Sequence, residues 1–146
     1  MTTTHEDHTG PNLLRLRTGR GWSTHALSSQ LAGIDYELSA SSISRTERGT
    51  RGATAADVLA LAVVFDVSPS ALLLPLEDDP HALVDLPGRS VPAAVAWAWA
   101  AGERPLTPME EVTRSEMWRY QTESQPVFRR EIPPVSKRNT PPGKGA

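Results

Sequence analysis

The stretch Ser39-Ala40-Ser41-Ser42-Ile43-Ser44-Arg45-Thr46-Glu47-Arg48-Gly49 decides how this chain is read. Ser39 is the kind of residue that caps a helix N-terminus, because its hydroxyl accepts a hydrogen bond from an otherwise unpaired backbone N–H. Ile43 is the only large apolar side chain, so a helix here has a single anchor to a core. Ala40, Ser41 and Ser42 leave the first turn without bulk, and Gly49 can close the helix in a left-handed conformation. A helix so slim on its outer face can lie close against another molecule.

Working outward toward the N-terminus, Leu13, Leu14, Leu16 and Arg17 have the spacing of a short amphipathic helix, ended by Gly19 and Gly21. Trp22 follows as an apolar plug. Ser23 caps a second helix over 24–31, with Leu27 and Leu31 facing inward. Residues 32–38, which include Gly33, Asp35 and Tyr36, are a connection. In the other direction, Gly49-Thr50-Arg51-Gly52 is a loop by composition. Thr54 caps a helix over 55–65 whose apolar stripe is Val58, Leu59, Leu61, Ala62 and Phe65. Ser68-Pro69 starts a short fifth helix that ends before Pro75. The expected core is Leu13, Leu16, Leu27, Leu31, Ile43, Leu59, Ala62, Phe65, Leu72 and Leu73.

The predicted fold class is all-α: a disordered tail over 1–10, a five-helix domain over 11–76, an acidic linker over 77–90, a helical extension over 91–125 and a Pro-rich disordered tail over 126–146. Within the extension, Val95-Ala96-Trp97-Ala98-Trp99 alternates as a strand would. The abundance of alanine, the early Pro92 and the following Gly102 favour a helix. Thr107-Pro108 predicts the start of another helix, with Met109, Val112, Met117 and Tyr120 in one arc. These four, with Trp97 and Trp99, are either a surface for a dimer mate or protein partner, or a small satellite core.

Composition narrows the function. The chain has no cysteine, so disulfides and thiolate metal sites are excluded. No apolar run is long enough for a bilayer, and the polar start has no signal-peptide core, so the expected location is cytoplasmic. His5, Glu6, Asp7 and His8 are taken as a solvated leader rather than a metal site. His25 and His81 have no companions at ligand spacing. There is no glycine-rich phosphate loop and no plausible pair of catalytic carboxylates, and Lys137 and Lys144, the only lysines, lie in the Pro-rich tail. Neither catalysis nor a cofactor is expected.

A set of motifs carries a resemblance. Arg17, Gly21-Trp22-Ser23, Leu27, Ser42-Ile43-Ser44-Arg45-Thr46-Glu47-Arg48-Gly49, Leu59-Ala60-Leu61-Ala62 and Val67-Ser68-Pro69-Ser70-Ala71-Leu72-Leu73 resemble the lambda-repressor-like, Xre-type helix-turn-helix family. The connection over 32–37 is several residues longer than the tight turn of phage repressors. The resemblance implies that the helix over 39–48 enters the major groove of double-stranded DNA. Ala40, Ser41, Ser42 and Arg45 would then face base edges. Arg45 is the one side chain there able to pair bidentately with guanine. Ser23, Thr24, Arg48, Thr50 and Arg51 would meet phosphates. Arg17 and Glu47 would form an internal ion pair.

The charge of the domain tempers this expectation. Arg15, Arg17, Arg20, Arg45, Arg48 and Arg51 stand against Asp35, Glu37, Glu47, Asp57 and Asp66, leaving one positive charge over 11–76. One copy can neutralise few phosphates, so useful affinity asks for a homodimer. The expected function is a sequence-specific transcriptional regulator of repressor type. The alternative is a protein-interaction module, antitoxin-like or an anti-activator, on an inherited helix-turn-helix fold with weak DNA affinity.

Overall fold

Residues 6–130 are described here, from a computed structural model of the chain. Five helices come first: α1 (Thr9–Gly19), α2 (Thr24–Ala32), α3 (Ala40–Glu47), α4 (Ala55–Phe65) and α5 (Ser70–Leu73). Then follow a hairpin of β1 (Leu83–Leu86) and β2 (Arg89–Pro92), the helix α6 (Ala93–Ala100), a 3-10 turn over Met109–Glu111, the helix α7 (Arg114–Ser124) and a 3-10 turn over Val127–Arg129. The chain divides into two compact units between Leu106 and Thr107.

Local chemistry sets the helix boundaries of the first unit. Ser23, Ser39 and Thr54 each accept a hydrogen bond from the backbone N–H three residues on. At the other ends, the residue past the helix turns left-handed and its N–H, with the next one, returns to carbonyls of the last turn. After α3 this residue is Gly49, at φ 77°, and the N–H groups of Gly49 and Thr50 donate to Thr46 and Arg45. After α2 it is Asp35, at φ 59°, with Asp35 and Tyr36 donating to Ala32 and Leu31. The long connection after α2 is therefore one more turn of coiled backbone followed by a short extended run into Ser39.

The core of α1–α5 is Leu13, Leu27, Leu31, Leu38, Ile43, Val58, Ala60, Leu61, Ala62, Phe65 and Leu72. Trp22 stacks on Phe65, with ring centroids 5.6 Å apart. Two expected core residues are corrected: Leu59 is 57% and Leu73 is 50% exposed. On α4, Val58, Leu61, Ala62 and Phe65 define the inner arc, which turns Leu59 outward. Asn12 is buried, and its Nδ2 donates to the carbonyls of Leu72 (3.1 Å) and Leu74 (2.8 Å), fastening α1 to α5.

α1 starts earlier than expected, which corrects the bounds of the N-terminal tail. The Thr9 N–H donates to Asp7 Oδ1 at 2.9 Å, and Gly10 lies against the end of α3, where a Cβ would be 2.6 Å from the Thr46 carbonyl oxygen. Only a residue without a side chain permits that approach. His5 and the rest of 1–5, like 131–146 of the expected Pro-rich tail, lie outside the described residues.

The all-α expectation is corrected by the hairpin, which occupies part of the expected acidic linker. β1 and β2 pair antiparallel across the two-residue loop Pro87-Gly88, with Val84 opposite Val91 and Leu86 opposite Arg89. Alternation turns Val84 and Leu86 inward, where they join Val91, Leu74, Ala93 and Ala96 in a second core. The pair of strands is marginal alone, and α6 supplies the surface that stabilises it. Trp97 packs on this core and its indole N–H donates to the Pro75 carbonyl at 3.1 Å, so Trp97 is satellite core. Trp99 is 37% exposed.

In the second unit, the helix expected from Thr107 begins at Arg114 instead, capped by Thr113. There the Thr113 side chain and Glu116 form a reciprocal capping box, while Met109–Glu111 takes up a 3-10 turn. The arc expected to join Met109 and Val112 to Met117 and Tyr120 is therefore not a single helix surface. Glu116 is held below the ordinary carboxylate value by the Thr113 amide and hydroxyl.

Candidate nucleic-acid interface

α3 is built as its sequence suggests, anchored inside and open outside. Ile43 is fully buried and Thr46 is 4% exposed, while Ser41 and Arg45 are exposed and Ala40 and Ser42 are half-buried. The Ser42 N–H donates to the Ser39 hydroxyl at 3.1 Å. Ser42 Oγ accepts from Ser39 Oγ at 3.0 Å and from Arg45 Nη2 at 3.2 Å. Arg45 is thus drawn along the first turn by a surface hydrogen bond of modest strength, which a guanine edge could replace. Of the expected base-facing side chains, Ser41 and Arg45 lie on the outer side of α3, and Ala40 and Ser42 flank it half-buried.

The expected phosphate-facing residues divide. Ser23 is exposed at the start of α2, where its hydroxyl accepts from the Ala26 N–H at 3.0 Å. Thr24 beside it is half-buried. Arg48 and Thr50 are exposed beyond α3, and Thr50 Oγ1 donates to the Arg45 carbonyl at 3.2 Å. Arg51 is turned inward. Its Nη1 donates to Asp57 Oδ2 at 2.9 Å and to Thr46 Oγ1 at 3.2 Å.

Asp57 is a node that the sequence reading did not single out. It is 3% exposed, and its Oδ2 also accepts from the Thr54 N–H at 2.9 Å. Its Oδ1 accepts from the Tyr36 hydroxyl. Burial alone would raise the carboxyl's pKa. The Tyr36 hydroxyl, the Thr54 amide and the Arg51 guanidinium outweigh it and hold the group below its ordinary value. Tyr36 is raised in turn, chiefly by its bond to Asp57. The pattern Thr54-x-x-Asp57 announces a capping box; no local signal announces Tyr36.

Arg17 and Glu47 meet as a two-pronged ion pair, Nε to Oε1 at 2.5 Å and Nη2 to Oε2 at 3.0 Å. Arg17 Nη1 also donates to the Trp22 carbonyl at 2.8 Å. The side chains are 15% and 9% exposed, so water screens the pair poorly. The hydrogen bond to Glu47 raises the Arg17 guanidinium further. The pair fixes the end of α1 to the last turn of α3.

Residues 12–74 match a protein-family model described as a helix-turn-helix domain. This stretch, less than half of the chain, is a helix-turn-helix domain, in keeping with its lambda-repressor-like, Xre-type motifs. Such domains form a DNA-binding class of regulators. No curated protein and no solved structure matches the chain. Among the described residues, no helix is long and apolar enough to cross a membrane, and no group of three His, Cys, Asp or Glu could hold a metal ion.

Proposed function

We propose that the protein is a sequence-specific transcriptional regulator of repressor type that inserts α3 into the major groove. The observation that carries this reading is the division of α3 into a fully buried Ile43 and an outer side on which Ser41 and Arg45 are exposed. Arg45 reads guanine through a bidentate pair, and Ala40, Ser41 and Ser42 give close, sparse contacts to neighbouring bases. Ser23 and Thr24, with the N–H groups and positive dipole of the α2 start, hold one phosphate run. Arg48 and Thr50 hold another. With one net positive charge over 11–76, a single copy binds weakly, so the working form is a homodimer facing successive major grooves.

The test begins with selection of bound duplexes from random-sequence DNA, followed by anisotropy titration. Wild type should prefer the selected duplex. Arg45→Ala should lose about 1–3 kcal/mol of that preference, concentrated at one base position. An Arg45→Ala variant that discriminates as wild type does removes Arg45 from the reading.

A second reading has a specific observation behind it. In the second unit Trp118, Val127 and Phe128 are 66%, 70% and 87% exposed, more apolar surface than solvation alone calls for. A protein-interaction module would use them, with residual DNA affinity. A wild-type chain that shifts no duplex at low salt favours this reading over the first.

A further inference from the structure

Three segments meet at one buried carboxylate, Asp57, through side chains that have no part in the proposed DNA contacts. Asp57 sits near the start of α4. Its Oδ1 holds the Tyr36 hydroxyl, which belongs to the run leading into the Ser39 cap. Its Oδ2 holds Arg51 Nη1, and that nitrogen also reaches Thr46 Oγ1 on the inner side of the last turn of α3. The same buried group is therefore tied to the chain just before α3 and again at its end.

The consequence is orientational. α3 has eight residues and one large apolar anchor, Ile43. One anchor fixes where a short helix lies but resists rotation about itself poorly. Arg17 restrains the far end through Glu47, and nothing in that pair restrains the entry at Ser39. Leu38, buried in the core with its carbonyl accepting from the Ser28 hydroxyl at 2.7 Å, holds the chain just before Ser39. Tyr36 adds a second restraint there through a carboxylate that burial makes costly to leave unpaired. Base reading needs side chains held to within a fraction of an ångström, whereas phosphate contacts tolerate more.

We infer that Asp57 and Tyr36 are positioning residues for sequence discrimination, setting the angle at which α3 meets DNA without touching it, and that Arg51 serves this network rather than a phosphate. The inference rests on the DNA-binding reading above.

Tyr36→Phe tests it in the full chain, because it removes one hydroxyl and keeps the ring. Affinity is measured for a duplex recovered by selection and for a mixed-sequence duplex, each across a salt series, and amide hydrogen exchange of 43–47 is followed in the free protein. Putting one base contact out of register corresponds to about a tenfold fall in the ratio of the two affinities. The mixed-duplex affinity and its salt slope should stay as in wild type, and the α3 amides should exchange faster. Val84→Ala, which weakens the second core, should keep the wild-type ratio. A Tyr36→Phe ratio equal to wild type, or an equal loss of ratio in Val84→Ala, overturns the inference. A wild-type chain that prefers no duplex overturns the DNA reading and the discrimination role with it. The exchange data then report separately whether Tyr36 restrains α3.

Discussion

The Arg51 guanidinium donates to the Asp57 carboxylate at 2.9 Å, with the arginine side chain 26% and the aspartate 4% exposed. Arg48, three residues earlier, is exposed. Two arginines of one loop therefore have different surroundings, and the proposed interface gives them different work. Arg48→Ala should lower the salt slope of binding to mixed-sequence duplex by about 0.9, the signature of one lost phosphate contact. Arg51→Ala should leave that slope unchanged and lower the melting temperature instead. Titrations at several salt concentrations beside thermal melts separate the two, and a reduced slope for Arg51→Ala would return that residue to the phosphate backbone.

Arg17 and Glu47 stabilise the packing of α1 on α3. Removing either leaves the other charge largely shielded from water. Glu47→Ala is expected to cost about 3 kcal/mol of folding stability, read from denaturant unfolding at constant m-value. A loss below about 0.5 kcal/mol would place the pair in the class of solvated surface contacts.

Stability should fall in acid through Asp57. Its folded pKa lies below the unfolded value of 3.8. Between the two values the unfolded chain binds the proton more readily, so stability rises with pH there. The contribution is complete above about pH 4 and is lost as pH falls through the lower, folded value. Tyr36 acts at the other extreme. Its folded pKa is raised above 10.0, so its contribution is complete below that pH and is lost as pH rises through the folded value. Unfolding free energy measured against pH should show both limbs. Asp57→Asn should flatten the acid one, and an unaltered acid limb would remove Asp57 from the account.

Gly10→Ala should destabilise. The added methyl would lie 2.6 Å from the Thr46 carbonyl oxygen and 3.0 Å from that of Glu47, both backbone atoms that cannot swing aside. Overpacking of this kind costs about 1–3 kcal/mol, more than alanine's helix propensity returns at a helix end. A calorimetric melt unchanged or raised by the substitution would show that α1 can shift away from α3 at little cost.

Asp66→Gly should do the reverse. Asp66 closes α4 at φ 52°, a left-handed conformation in which a Cβ is strained. Its exposed side chain loses little when removed. The gain expected is about 0.5–1 kcal/mol, visible as a higher denaturation midpoint, and a lower midpoint would mean that the carboxylate has a role of its own.

The helix-turn-helix was legible because its boundaries are local. Ser23, Ser39 and Thr54 cap within three residues of themselves, Gly49 closes α3 within its own turn, and Ile43 stands alone among small polar neighbours. The open face of α3 follows from that last pattern. The hairpin had local signals too: Val84 and Leu86 alternate and Pro87-Gly88 is turn-forming. The surrounding acids made the segment look like a linker, and what pairs β1 with β2 is their common burial against α6. Leu59 and Leu73 show the opposite limit, since in helices so rich in apolar residues periodicity leaves several inner arcs open, and the partners choose one.

By itself, then, the sequence determined where α2, α3 and α4 begin, which side of α3 is bare, and the near-neutral charge of the domain. Only the tertiary structure decided where Arg51 points, what Asp57 holds, and how closely Gly10 lets α1 approach α3. The reason is one of range. A cap is satisfied by the next turn of the same helix, whereas Tyr36 meets Asp57 across 21 residues and Arg17 meets Glu47 across 30, distances that only the folded path of the backbone closes.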